Sequence, residues 1–329
     1  MVNLSINPNS EIPKFQQLVD KVNNALAENK LHEGDQLPSV NYICQTYKLS
    51  RDTVFKAYGH LKELGVIESV PNKGYFIAKE GRKVFLFLDT LKAYKEVLYG
   101  EFVKQLNKNT IADVHFHHYN IDVFKKLIQE GKGRYSKYII MPFEHDKVPE
   151  IISMLPSEKT LVIDWNTNIE GFSNKLYQDF GQAVKDALDE ANHLLSKYKE
   201  LVMVYPEFTN HPMVTVDSFN EFCKTNKYTH SILTDSQKLN VKAGHAYFSV
   251  SDRMLGEILE QCREKKLEPG KDMGILSYNE TPMKKFIYKG ISVISTDFKL
   301  MGQKAAEFAS SDINMDFRVP TKIFFRESL

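Results

Sequence analysis

Leu49-Ser-Arg-Asp-Thr-Val-Phe-Lys-Ala-Tyr-Gly-His-Leu-Lys-Glu-Leu64 is the stretch on which the reading turns. Ser50 is a good N-cap, because its hydroxyl can accept a backbone N–H that has no helical partner. Val54, Ala57, Tyr58, Leu61 and Leu64 recur at helical spacing, so one face is apolar and packs inward. Arg51, Thr53, Lys56 and His60 fall on the other face. Polar and basic side chains in the first two turns suit the end that a recognition helix pushes into a DNA major groove. An ordinary amphipathic surface helix would look the same, so the neighbours decide.

Upstream, Phe15, Leu18, Val19, Val22 and Leu26 form one stripe, which predicts a helix from Lys14 to about Lys30. His32-Glu-Gly-Asp35 breaks it. Leu37-Pro-Ser39 opens a second, short helix with Val40, Ile43, Cys44 and Tyr47 inward. Downstream, Gly65 stops the third helix. Val66–Val70 and Tyr75–Ala78 then flank a turn, Pro71-Asn-Lys-Gly74, which predicts a hairpin. Three helices and a hairpin make a winged helix-turn-helix, with Lys73 at the wing tip placed to meet phosphate. The candidates for DNA contact are Ser39, Asn41, Ser50, Arg51, Thr53, Lys56, Lys73 and Gly74.

Leu37-Pro-Ser39, Ser50-Arg-Asp-Thr-Val54, Gly65 and Lys73-Gly-Tyr-Phe76 resemble the N-terminal DNA-binding domain of GntR-type transcription regulators, over about residues 10–79. The chain departs from that family at three places. Asn41 stands where the family has an Arg, Phe55 where it has a second Arg, and Asn72 where it has the first wing Gly. Arg51 is left as the only arginine of residues 1–79. Phe55 suits contact with a thymine methyl or burial in the core.

The whole chain has 329 residues and a net charge of +1, so any basic patch must be local. Between Thr46 and Lys79, Lys48, Arg51, Lys56, Lys62, Lys73 and Lys79 outnumber Asp52, Glu63 and Glu68, about +3 for that segment. Cys44, Cys223 and Cys262 are far apart and show neither zinc nor disulfide spacing, which reads as reduced thiols of a cytoplasmic protein. The first residues have no signal-peptide character, and no apolar run is long enough to span a membrane.

Ala78-Lys-Glu-Gly-Arg-Lys83 is a charged joint with a glycine, giving a DNA-binding domain over 1–79, a linker over 80–83 and an effector domain over 84–329. Strand-like runs at Val84–Leu88, Val114–Phe116, Tyr138–Met141, Thr160–Asp164, Leu201–Tyr205, Ala246–Val250 and Met273–Ser277 alternate with helical patterns. That alternation predicts an α/β domain with parallel sheets, and its length suggests two lobes around a cleft. Ligands of such sheets sit beyond the carboxyl ends of the strands. Those ends read Asp89–Tyr94, Pro142–His145, Asp164–Asn166, Pro206–Asn210, Ser251–Arg253 and Tyr278–Glu280. They are polar with aromatics interspersed, as a sugar site requires. Tyr94, Glu144, Asp164, Trp165, Asp252 and Arg253 are the candidates they supply, and Lys95, next to Tyr94, is a further one.

Ser251–Gly256, Leu267–Pro282, Ile291–Ile294 and Met301–Ala306 resemble the periplasmic-binding-protein-like effector domain of LacI-type repressors. The combination is similar to that of arabinose-repressor-like regulators. The resemblance places Asp164, Trp165 and Asp179 toward ligand. It also puts Thr215 where that family has a sugar-binding Arg, and Asn279 where it has an Asp. It implies lobe 1 at about 84–198 and 291–329, and lobe 2 at about 199–290. Loss of one cation and one anion points to a neutral monosaccharide, with a deoxy sugar such as fucose as one form.

His115-Phe-His-His118 has a metal-like look, but on a strand only His115 and His117 share a face. No catalytic constellation and no cofactor is expected. The reading is a ligand-responsive repressor of carbohydrate genes, homodimeric on a pseudo-palindromic double-stranded operator, with no membrane partner. An enzyme fusion of the aminotransferase type is the alternative, though it needs more than the roughly 245 residues that remain.

Overall fold

The computed structural model describes residues 3–78, 82–107, 110–167 and 169–329. The expected joint at 80–83 lies partly outside the described residues.

The N-terminal unit contains α1 (Lys14–Ala27), α2 (Val40–Tyr47), α3 (Arg51–Glu63), β1 (Ile67–Val70) and β2 (Gly74–Ile77). Leu18, Val19, Val22, Ile43, Val54, Ala57, Tyr58 and Leu61 are buried together, so the apolar stripes of the three helices meet as their spacing requires. The Tyr58 hydroxyl donates to the Pro38 carbonyl (2.6 Å), which ties α3 to the start of α2. β1 and β2 pair antiparallel from Ile67↔Ile77 to Val70↔Gly74. Gly74 already belongs to β2, so the wing turn is shorter than the sequence suggested.

The rest of the chain forms two six-stranded sheets. Lobe 1 contains β3 (Arg82–Leu88), β4 (Thr110–Phe116), β5 (Lys137–Ile140), β6 (Thr160–Asp164), β7 (Lys175–Tyr177) and β13 (Asp316–Arg318). Their order is β13-β7-β6-β5-β3-β4, and all pairs are parallel. Continuous apolar runs such as Val84-Phe-Leu-Phe-Leu88 suit strands buried on both faces. One face is covered by α4 (Ala93–Gln105) and α10 (Phe298–Ser310). The other is covered by α5 (Ile121–Gly131) and α6 (Val148–Ile152).

Lobe 2 contains β8 (Glu200–Val204), β9 (His230–Leu233), β10 (His245–Ser249), β11 (Gly274–Tyr278), β12 (Ser292–Thr296) and β14 (Thr321–Phe324). Their order is β14-β12-β11-β10-β8-β9, with only the β12–β14 pair antiparallel. α7 (Gln182–Leu195) and α8 (Val214–Thr225) pack on one face, and α9 (Asp252–Glu264) on the other.

The lobe limits expected from sequence need correction. α7 falls within the expected lobe 1, yet Val184, Leu188, Ala191 and Leu195 are buried with Leu201, Met203 and Phe219 of lobe 2. β12 likewise pairs with β11, and β14 with β12, so both belong to lobe 2. The chain therefore crosses between the lobes three times, after β7, after β12 and after β13. Lobe 1 is about 82–178 with 297–319, and lobe 2 is the remainder.

Candidate functional site

Two surfaces carry chemistry. On the first, α2 and α3 begin at capped ends. The Ser39 hydroxyl accepts from Tyr42 N (3.2 Å) and Ser50 accepts from Thr53 N (3.2 Å). The Ser50 and Thr53 hydroxyls are also bonded to each other (2.8 Å). These hydroxyls thus shape the helix ends. Lys48 closes α2 in the left-handed region (φ 52°) and turns the chain into α3. Asn41, Arg51, Lys73 and Gly74 are exposed with no bonded side-chain partner among the described residues, although Gln36 holds the Lys73 carbonyl (2.7 Å). Lys56 is also exposed, but its ammonium lies over the Phe15 ring of α1, 4.2 Å from the centroid. Phe55 is 47% exposed, so it is not core.

The second surface is a cleft of about 480 Å³ between the lobes, within the range of small-molecule sites (roughly 300–1,000 Å³). Five of the six strand ends identified in the sequence converge on it, and Pro142–His145 does not. Tyr94, Asp164, Trp165, Asp252, Arg253 and Asn279 line it. Four expected residues do not. Lys95 is fully buried and ion-paired with Asp89, and only Asp89 of the pair lines the cleft. Glu144 is exposed and is not part of the cleft lining. Asp179 caps Gly181 N (2.9 Å) and pairs with Arg318 (3.2 Å). The buried Thr215 hydroxyl donates to the Phe180 carbonyl (3.0 Å).

Gln178 organises the floor. Its amide nitrogen donates to the Asp164 carboxylate, and its oxygen accepts from Tyr278 (3.1 Å) and Thr296 (2.7 Å) of lobe 2. One side chain thus bridges the lobes. Burial pushes the Asp164 carboxyl above its ordinary range, while Lys95 and Gln178 pull it down. Burial also lowers the Lys95 ammonium to about 8, and Asp164 opposes this. Asp164 (φ 72°) and Asn279 (φ 61°) are both left-handed, at the ends of β6 and β11. Such backbone positions cluster at ligand sites. The Asn279 side-chain oxygen is buried with no partner. Asp252 is held by Lys284 (2.7 Å), a buried lysine that also donates to the carbonyls of Tyr278 and Asn279.

Aromatic rings wall the cleft. Trp165 lies 5.8 Å from Phe180, His211 5.3 Å from Phe180 and 4.5 Å from Tyr278, and the Arg253 guanidinium 5.1 Å from the Phe208 ring. Burial pushes His211 down to about 3, with Lys92 adding to it, so the ring is neutral. Its Nε2 meets Thr215 Oγ1 at 2.8 Å. That hydroxyl spends its proton on the Phe180 carbonyl, so Nε2 carries the imidazole hydrogen and Nδ1 is left as an acceptor. His211, Gln178 and Lys284 escaped the sequence reading. None is at a named strand end, and only the lone His among aromatics was a visible signal.

His117 answers the metal question. Its Nε2 donates to the Met141 carbonyl (3.0 Å), and its Nδ1 accepts from Tyr119 N (3.2 Å). Burial lowers it to about 4, so both nitrogens are engaged in a neutral brace. That brace sets Tyr119, which donates to Asp89 at the cleft.

Residues 14–77 match the model of the bacterial regulatory proteins of the gntR family. The uncharacterized HTH-type transcriptional regulator YhcF of Bacillus subtilis (strain 168) is 33% identical over 99 residues, 30% of this chain and 79% of that protein. The remainder resembles solved structures. One is a LacI family transcriptional regulator from Lactobacillus casei with bound glucose (TM-score 0.63, 14% identity, 75% of this chain and 100% of that one). Another is the Lac repressor dimer bound to operator (TM-score 0.62, 13% identity, 76% and 94%).

Proposed function

Because the chain belongs to the GntR family of bacterial transcription regulators, we propose that it is a repressor of carbohydrate genes released or retained by a neutral monosaccharide. It is a DNA-binding regulator and not an enzyme. Residues 82–329 form two parallel-sheet lobes with the fold of LacI-type effector domains in place of an aminotransferase-like domain. The observation that carries the effector reading is the buried Asp164 carboxylate facing a cleft walled by Trp165, Phe180 and Tyr278. Aromatic faces suit sugar C–H surfaces, and Asp164, Asn279 and His211 Nδ1 offer acceptors to hydroxyl donors. An acceptor-rich floor favours hydroxyls over phosphate or carboxylate groups. A deoxy sugar fits the aromatic share of the lining.

Ligand that binds both lobes favours the closed arrangement and shifts operator affinity by the difference in its affinity for the two states. The LacI-type structures matched include the operator-bound Lac repressor dimer. In this chain Met283, Phe286 and Tyr288, 67%, 77% and 47% exposed, give lobe 2 an apolar face suited to a second copy. Two reading heads then address a pseudo-palindromic operator in the cytoplasm.

A thermal-shift screen against monosaccharides tests this reading. At 100 times its Kd, a true effector adds about 2.7 kcal/mol to stability, and Tm rises by several degrees in a concentration-dependent way. Absence of any shift across neutral sugars would remove the effector reading.

On the DNA side, Arg51→Ala should weaken specific operator binding by about 1–3 kcal/mol, roughly 5- to 150-fold, in a mobility-shift assay. Arg51 is exposed at the capped end of α3 and is the only arginine of the winged helix. Unchanged binding would show that α3 is not the reading helix.

A further inference from the structure

The winged helix meets lobe 1 along one side of α1. Asn29 Nδ2, just past that helix, donates to Glu158 Oε1 (2.9 Å). Lys159 Nζ donates to the Leu26 carbonyl in the last turn of α1 (3.3 Å), where a cation is favoured by the helix dipole. Gly133 is left-handed (φ 76°) and presses on Asn23, so a Cβ there would lie 2.1 Å from the Asn23 carbonyl oxygen. Asn23 and Leu26 are three apart on one edge of α1, and Asn29 follows just past its end in the left-handed region (φ 53°). A gap of about 630 Å³ lies beside these contacts, so the seam is held by a few polar bonds and not by a buried apolar face.

Glu158 and Lys159 directly precede β6, whose other end is Asp164 in the cleft. Lys159 lies five residue steps from Asp164, about 16 Å along the strand. α1 in turn packs on α3. We infer that Glu158 and Lys159 are positioning residues for operator recognition, holding the winged helix on lobe 1 in one orientation through Leu26 and Asn29. The inference rests on the operator-binding reading above. It adds that the two domains are docked, with β6 joining the dock to the effector cleft.

The test uses the full chain with both residues replaced, Glu158→Ala with Lys159→Ala, and Lys159→Arg alone as the conservative control. Small-angle X-ray scattering needs neither ligand nor DNA. The wild type should fit the docked shape, and the double variant should show a larger maximum dimension. Operator duplexes are then selected in vitro from random DNA with the wild-type protein. The double variant should lose tenfold or more in affinity for the selected two-half-site duplex, yet stay within twofold of wild type on a single half-site. Lys159→Arg should stay within threefold on both. Unchanged scattering, or equal losses on half and whole sites, would overturn the inference, because equal losses mean a damaged winged helix. Selection of no sequence by the wild type would instead defeat the operator reading, and scattering would still decide whether the domains dock.

Discussion

Asp164→Asn is expected to weaken effector binding about 100-fold or more, while raising the Tm of the ligand-free protein. The substitution keeps the side chain's shape and its bond from Gln178. It replaces an anionic acceptor by an amide that offers two hydrogens where sugar hydroxyls need lone pairs. Hydrogen bonds to a charged group are worth about 1.5–3 kcal/mol each, so losing two costs about 3 kcal/mol or more. The opposite sign for stability follows from burial. The folded-state pKa of Asp164 is raised above its ordinary 3.8, with burial as the largest cause. A carboxyl shifted this way favours the fold at low pH, and that contribution is lost as pH rises through the folded value. At neutral pH the charge therefore works against folding, and asparagine removes it. Titration calorimetry with the sugar found by screening reads the first effect, and melting of the free protein at pH 7 reads the second. Unchanged affinity would exclude Asp164 from the ligand shell. A lower Tm would show that Lys95 more than offsets the desolvation of the carboxylate.

Gly302→Val should destabilise the protein by about 3 kcal/mol, at the upper end of over-packing costs, lowering Tm by about 6–12 °C. Gly302 lies where α10 crosses α4 backbone to backbone. A Cβ there would sit 2.4 Å from the Leu98 carbonyl oxygen and 3.0 Å from Phe102 N. Neither is a side chain that can rotate away. The surrounding Leu98, Phe102, Phe298, Met301 and Ala305 are buried in lobe 1, so the helices cannot part without opening that core. Gly256, in mid-α9, has nothing within 4 Å of a built Cβ. Gly256→Ala should accordingly gain roughly 0.5–1 kcal/mol from helix propensity. Thermal unfolding of the two variants side by side checks the contrast. Equal responses would mean that propensity and not the helix crossing governs both sites.

The winged helix was legible because its information is local. Stripe spacing, the Ser39 and Ser50 caps and the Gly65 stop each act within a few residues, and each has its counterpart in the structure. The cleft was legible where it is made of strand ends, hence Tyr94, Asp164, Trp165, Asp252, Arg253 and Asn279. What stayed hidden depends on long-range pairing. The register of β12 with β14, not the composition of either, assigns them to lobe 2. Thr215 looked like a cleft residue because of its place in the chain, but α8 turns its hydroxyl toward the Phe180 carbonyl. Gln178 and Lys284 matter because partners about 100 residues away, or a turn of irregular backbone, converge on them. No periodicity announces such residues.

The three crossings between the lobes have a mechanical consequence. A single tether would let one lobe swivel and twist on the other. Three strands of backbone side by side, with Gln178 lashed across them, leave one soft motion, a rocking about the line through the crossings. A ligand no larger than a sugar then has only that rocking to arrest. Little of its affinity goes into quenching other motions, and the whole displacement is delivered along one axis to whatever rides on lobe 1.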